Sequence, residues 1–180
     1  MGHPQLVADG IKAMQDAVNI DVTVKHRIGI DDQDSYPELV NFVETIAKTG
    51  CKTFIVHARK AILQGLSPKE NRDIPPLKYD WVYQLKQDFP DLEILINGGL
   101  SKFDQMKQQL EHVDGVMIGR EAYHNPYIMA EVDNAFYGRD YALPSRHKVV
   151  EDFMPSIYEQ ISNEIYLSPI TRNVLGIYDC

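Results

Sequence analysis

A parallel α/β fold is the class this sequence predicts, and three observations predict it. Four short runs rich in apolar and β-branched residues recur: VTVKHRI at 22–28, KTFIVHA at 52–58, LEILING at 92–98 and DGVMIG at 114–119. Each is nearly continuous in such residues before its polar end, the pattern of strands buried on both faces of a parallel sheet. Helical periodicity fills the intervals, so the order reads helix and then βα four times, joined by right-handed crossovers.

The elements follow in order. Val7, Ile11, Met14 and Val18 have the 4-3-4 spacing of a first helix. Leu39, Val43 and Ile46 mark a second, with Gly50 placed to end it. Asp80 is placed to cap WVYQLKQDF at 81–89, and Ser101 with Asp104 makes a weak capping-box variant before FDQMKQQL at 103–110. Asn125-Pro126 opens PYIMAEVDNAF with proline at the first helical position. After residue 140 the pattern changes. Val149, Val150, Phe153, Ile157 and Ile161 keep helical spacing around Pro155, which is expected to kink or divide that helix. Ser168-Pro169 is expected to start a last short helix running to about Gly176. Residues 1–142 therefore read as the sheet domain and 143–180 as a helical appendage.

Composition narrows the class of function. The chain has 180 residues, 44% hydrophobic and 24% charged, ordinary values for a globular protein with one sizeable core. No apolar run approaches the roughly 20 residues of a membrane span. The opening MGHPQLVADG lacks the basic and apolar regions of a signal peptide. Cys51 and Cys180 lie far apart without a CxxC context, so free thiols in a reducing, cytoplasmic setting are expected, and no metal site. The net charge is −8, yet residues 52–78 hold six Lys or Arg against two acids. An acidic protein with one basic segment can bind a polyanion at a chosen place. The structural alternative is a solvated loop.

In a βα unit, side chains that do chemistry sit at the C-terminal ends of strands. Here those ends supply Lys25-His26-Arg27, His57-Ala58-Arg59, Asn97-Gly98-Gly99 and Gly119-Arg120. Each also has a structural reading: Lys25 ends a strand in solvent, His57 is a satisfied core histidine, Asn97-Gly98-Gly99 is a turn, and Arg120 pairs with Glu121. Taken together they suit a phosphorylated, electron-rich cofactor. Gly98, Gly99 and Gly119 allow close backbone approach to a phosphate, and Arg120 can fork onto it. Lys25 places positive charge beside a ring that gains electrons on reduction.

The strings VTVKHRIGIDD, TFIVHARKAILQGLSPKENRDIPPL, ILINGGL and GVMIGREAYHNPY closely resemble the tRNA-dihydrouridine synthases, specifically their bacterial A-type subfamily. The resemblance runs from Pro4 to about Gly176, and its GLSPKENR loop is the most specific part. It implies a (β/α)8 TIM barrel with a C-terminal α-helical domain, of which this chain supplies the second half of the barrel and part of the helical domain. It implies FMN as cofactor, NADPH as reductant and tRNA as partner, with a D-loop uridine at position 20 or 20a flipped onto the flavin and reduced. Carried onto matching positions, FMN contacts fall on Lys25, His57, Asn97, Gly98, Gly99, Gly119 and Arg120, and tRNA contacts on Lys69 and Arg72.

The departures shape the expectations. The family's catalytic cysteine lies in an Asn-x-Gly-Cys-Pro-Ser motif after the fourth barrel strand, and that motif is absent, so no catalytic residue is assigned. Cys51 precedes a strand, at the wrong end of a barrel, and reads as a small buried hydrophobe. SPITRN stands where the family usually has His-Ile-Thr-Arg-His. The chain alone is expected not to reduce uridine, and its outer strand edges are expected to favour self-association. Two alternatives accompany this reading: a fragment that binds FMN or tRNA without turnover, and another FMN barrel such as a dihydroorotate dehydrogenase relative.

Overall fold

The structure is a computed structural model that describes residues 1–163. It comprises two compact units, Met1–Met117 and Ile118–Cys180. The helix expected from Ser168 lies outside the described residues.

The first unit contains α1 (Pro4–Ala17), β1 (Val24–Arg27), α2 (Tyr36–Ala47), β2 (Thr53–His57), a 3₁₀ turn (Glu70–Arg72), α3 (Tyr79–Asp88), β3 (Glu93–Asn97), α4 (Phe103–Leu110) and β4 (Gly115–Met117). The strands form one parallel sheet in the order β1-β2-β3-β4. All four expected strands are present, in chain order. They are shorter than the apolar runs that announced them, because ladder pairing ends before those runs do.

Burial in the sheet is one-sided. Val24, Phe54, Val56, Ile94 and Ile96 form its buried face, with Leu39, Phe42, Val43 and Ile46 of α2 and Val82 and Leu85 of α3 in the same core. The alternate residues Ile55, His57 and Leu95 are half-buried and Lys25 is exposed. The expectation of strands buried on both faces is thus corrected. The pleat sends successive side chains to opposite faces, and one face carries the polar groups. Register lines up Arg27, His57, Asn97 and Met117 as neighbours across the four strands.

Helix starts differ from expectation in three places. Asp80 is not a cap, since α3 begins at Tyr79 and Asp80 lies in its first turn. At α4, Gln105 rather than Asp104 closes the entry: its Oε1 accepts from the Ser101 and Lys102 amides, each at 3.2 Å. The helix is entered one residue later than expected, with Lys102 as the cap, so Gln105 and not Asp104 occupies the third helical position that reaches back. An unforeseen capping box opens α2, where the Ser35 amide donates to Glu38 Oε2 at 3.0 Å.

The second unit contains α5 (Arg120–His124), α6 (Ile128–Phe136) and α7 (Arg146–Ser162). Helix α6 starts two residues after Pro126, preceded by a turn in which the Ile128 amide donates to Asn125 O at 3.1 Å. Helix α7 is capped by Ser145 and continues past Pro155 to Ser162, so the proline does not divide it. The carbonyl left without an amide partner belongs to Glu151, an exposed residue where water can replace the lost bond.

Candidate cofactor and nucleic-acid site

The polar ends of β1, β2 and β3 meet within the first unit. Lys25 Nζ donates to Asn97 Oδ1 at 3.1 Å, reaching past β2 to do so. Asn97 Nδ2 donates to Met117 O at 2.8 Å, so the carboxamide ties the ends of β3 and β4 while holding the ammonium. Partial burial, and secondarily the charge of Arg27, lower the Lys25 pKa.

The two glycines after β3 are conformationally required. Gly98 and Gly99 have φ of 117° and 72°. A Cβ on Gly98 would sit 3.0 Å from Leu77 Cδ2 and 3.3 Å from His57 Nε2. On Gly99 it would sit 2.8 Å from Leu77 Cδ1 and 3.2 Å from the Tyr79 hydroxyl. That hydroxyl donates to Gly98 O at 2.6 Å and fixes the turn. The first unit thus brings Lys25, His57, Asn97, Gly98 and Gly99 to one edge. Gly119 and Arg120 belong to the second unit. A Cβ on Gly119 would meet nothing within 4 Å, and exposed Arg120 begins α5.

The basic segment proves to be a mixture of roles. Lys60 and Lys78 both bind Asp34, at 3.0 Å and 2.9 Å. Burial of Asp34 raises its pKa, but the bonds from Lys78 and Lys60 outweigh this and hold the carboxyl below its usual value. Arg59 donates to the carbonyls of Asp73 and Pro75. Arg27 donates to those of Lys60 and Asn71, each at 2.8 Å. Lys69 and Arg72 are exposed and make no side-chain hydrogen bond or ion pair with the described residues. Lys69 caps the 3₁₀ turn and Arg72 ends it, the Arg72 amide donating to Lys69 O at 3.0 Å.

His26 stands apart from Lys25 and Arg27 although the three are consecutive. It points into the core, 7% exposed, with Phe42 and Phe54 rings at 5.0 and 6.0 Å. Sequence reading missed Tyr79, Asp34 and Asn71 as supports of the site. Asn71 and Asp34 were visible only as ordinary loop residues, and no local signal says which distant amide or ammonium they meet.

Four parallel βα units with polar residues gathered at the strand ends define the class: part of a (β/α)8 barrel. The dihydrouridine synthase (Dus) family model matches residues 1–179, and the chain belongs to that family. It is 56% identical over 177 residues to a tRNA-dihydrouridine(20/20a) synthase of Pseudomonas syringae pv. tomato, covering 98% of this chain and 53% of that protein. The enzyme of the same name from Synechocystis sp. is 55% identical over 179 residues, covering 99% and 54%. That of Salmonella typhimurium is likewise 55% identical over 179 residues, covering 99% and 54%. The chain spans about half the length of the curated relatives it matches. No helix among the described residues is long and apolar enough to cross a membrane, and among them no group of three or more His, Cys, Asp or Glu could hold a metal ion.

Proposed function

We propose that the protein containing this chain is a tRNA-dihydrouridine synthase that uses FMN and NADPH to reduce a D-loop uridine at position 20 or 20a. The observation that carries this reading is the ammonium of Lys25 held by Asn97 at the strand edge where Gly98 and Gly99 expose their backbone. The donor set of the first unit, an ammonium, an imidazole and a carboxamide, fits the edge of a flavin ring. In the second unit, taken by itself, the open Gly119 beside the guanidinium of Arg120 is a pair suited to a phosphate. FMN, when bound, supplies the hydride that adds to the pyrimidine ring.

The chain's own residues bind and orient. Lys25 offers fixed positive charge, and Asn97 prevents its ammonium from turning away. His57 lies against Gly98 and closes the ring edge. Proton delivery to the base is not assigned to this chain. Cys51 is 1% exposed, its thiol donates to Val22 O at 3.3 Å, and burial raises its pKa.

Lys69 and Arg72 would meet the RNA backbone, with the segment 143–180 contributing to the same partner. A cytoplasmic location suits this substrate. β1 and β4 are the outer strands of the sheet, and association through those edges is the expected route to self-assembly. The test is to measure dihydrouridine in unmodified tRNA and the salt dependence of tRNA binding. Lys69→Ala and Arg72→Ala should each weaken binding and reduce the log–log salt slope by about one, leaving flavin content unchanged. Unchanged affinity and slope at several salt concentrations would show that these cations are only solvated.

A further inference from the structure

We propose that Arg27 is a positioning residue: its guanidinium staples the loop of residues 58–78 to the end of β1 and sets where Lys69 and Arg72 stand. The role rests on the RNA reading above. The geometry is specific. One nitrogen, Arg27 Nη1, donates to Lys60 O near the start of the loop and to Asn71 O beside Arg72, both at 2.8 Å. Those carbonyls lie 33 and 44 residues from Arg27 in sequence, so a single side chain gathers two distant points of one loop.

Asn71 carries the constraint onward. Its Oδ1 accepts from the Ile62 amide and its Nδ2 donates to Ile62 O, both at 2.7 Å, closing the loop on itself. The Asp73 and Ile74 amides then bond Glu70 O at 3.0 and 2.8 Å, completing the turn that Lys69 caps and Arg72 ends. The segment before Asn71 is also laid along the loop after β1. The Ala61 amide donates to Gly29 O at 2.9 Å, and the Leu63 amide to Asp31 Oδ1 at 2.8 Å.

An arginine used this way is unusual in its surroundings. Arg27 is half-buried, and Arg59 and Arg72 are near enough to disfavour its charge, after burial as the larger cause. Among the described residues its hydrogen-bond partners are backbone carbonyls, not carboxylates. Two carbonyls 11 residues apart in the loop meet on the one nitrogen Nη1, which is what fixes the backbone between them. Its effect is to order the loop before RNA arrives, so that binding does not carry that cost.

The experiment uses the 180-residue chain and two variants, Arg27→Lys and Asn71→Ala. Arg27→Lys keeps the charge but shortens the reach and removes the fork. Amide hydrogen exchange should quicken by about tenfold or more at Ile62, Leu63 and residues 71–74, while Phe54–Val56 in the ladder keep their protection. Unmodified tRNA should bind about tenfold more weakly with its salt slope retained, since the number of cations is unchanged. Asn71→Ala should give the same signature from the other side of the joint, which guards against misfolding of the first variant. Unchanged loop exchange in both would overturn the staple. Faster exchange with native tRNA affinity would overturn the positioning role. If the native chain shows no salt-dependent tRNA binding, the positioning role toward RNA is overturned whatever the exchange result, while the RNA reading of the whole protein stands or falls on the Lys69→Ala and Arg72→Ala salt slopes.

Discussion

Gly99→Val is expected to destabilise the chain by about 3 kcal/mol. Two costs combine. A φ of 72° places residue 99 in the left-handed region, where a side chain costs about 1–2 kcal/mol and a β-branched one more. The added Cβ would also lie 2.8 Å from Leu77 Cδ1 and 3.2 Å from the Tyr79 hydroxyl, and overpacking typically costs about 1–3 kcal/mol. Tyr79 has little freedom to yield, because its hydroxyl is bonded to Gly98 O at 2.6 Å. The control is Gly50→Val, at a φ of 92° with nothing within 4 Å of its Cβ, which carries the backbone strain alone. Urea unfolding of both variants measures the difference. Equal losses would show that Leu77 and Tyr79 do not constrain the turn.

Acidification should remove about 3 kcal/mol of stability through His26 alone. Its Nδ1–H donates to Arg27 O at 2.7 Å, which leaves Nε2 as the site for a second proton. That atom is buried without a hydrogen-bond partner, in a pocket walled by Phe42 and Phe54. A proton there would create a charge with nothing to solvate it. Burial therefore lowers the pKa from 6.5 to about 4, against a smaller raising effect of the Arg27 carbonyl. The sign follows from the depressed value: as pH falls, the unfolded chain takes up the proton first. The contribution is complete above pH 6.5 and is lost between 6.5 and about 4. Carboxylates held low, such as Asp34 and Asp114, begin to matter only near and below their ordinary value of 3.8. Unfolding free energies across this window should slope in the native chain and flatten in His26→Leu. Parallel slopes in the two would show that His26 is not buried neutral.

Much of the fold was legible because it depends on local pattern. Nearly continuous apolar runs placed all four strands, and helical spacing with cap and proline signals placed six of the seven helices among the described residues. The five-residue helix Arg120–His124 escaped, being too short to show a period. That Lys25, His57, Asn97, Gly98 and Gly99 share one edge was legible, since in a parallel sheet the polar ends of successive strands lie side by side. The helix starts were read less well. Whether Asp104 or Gln105 closes α4 depends on whether Ser101 or Lys102 is the cap, a one-residue shift of the helix start that local residue type does not decide.

The sequence by itself determined the order and direction of the strands and which residues stand at their ends. Only the tertiary structure decided how those residues are used. Lys25 meets Asn97 across 72 positions of sequence, and Asp34 claims Lys78 across 44. Arg27 and Arg59 are spent on backbone carbonyls while Lys69 and Arg72 remain exposed, although all four look alike as cations in a string. His26 and Arg27, adjacent in the chain, face a core and a loop respectively because the pleat alternates. The physical reason is common to these cases. Apolar periodicity is a property of neighbours along the chain, whereas a hydrogen bond or ion pair depends on separations of about 3 Å between elements that only folding brings together.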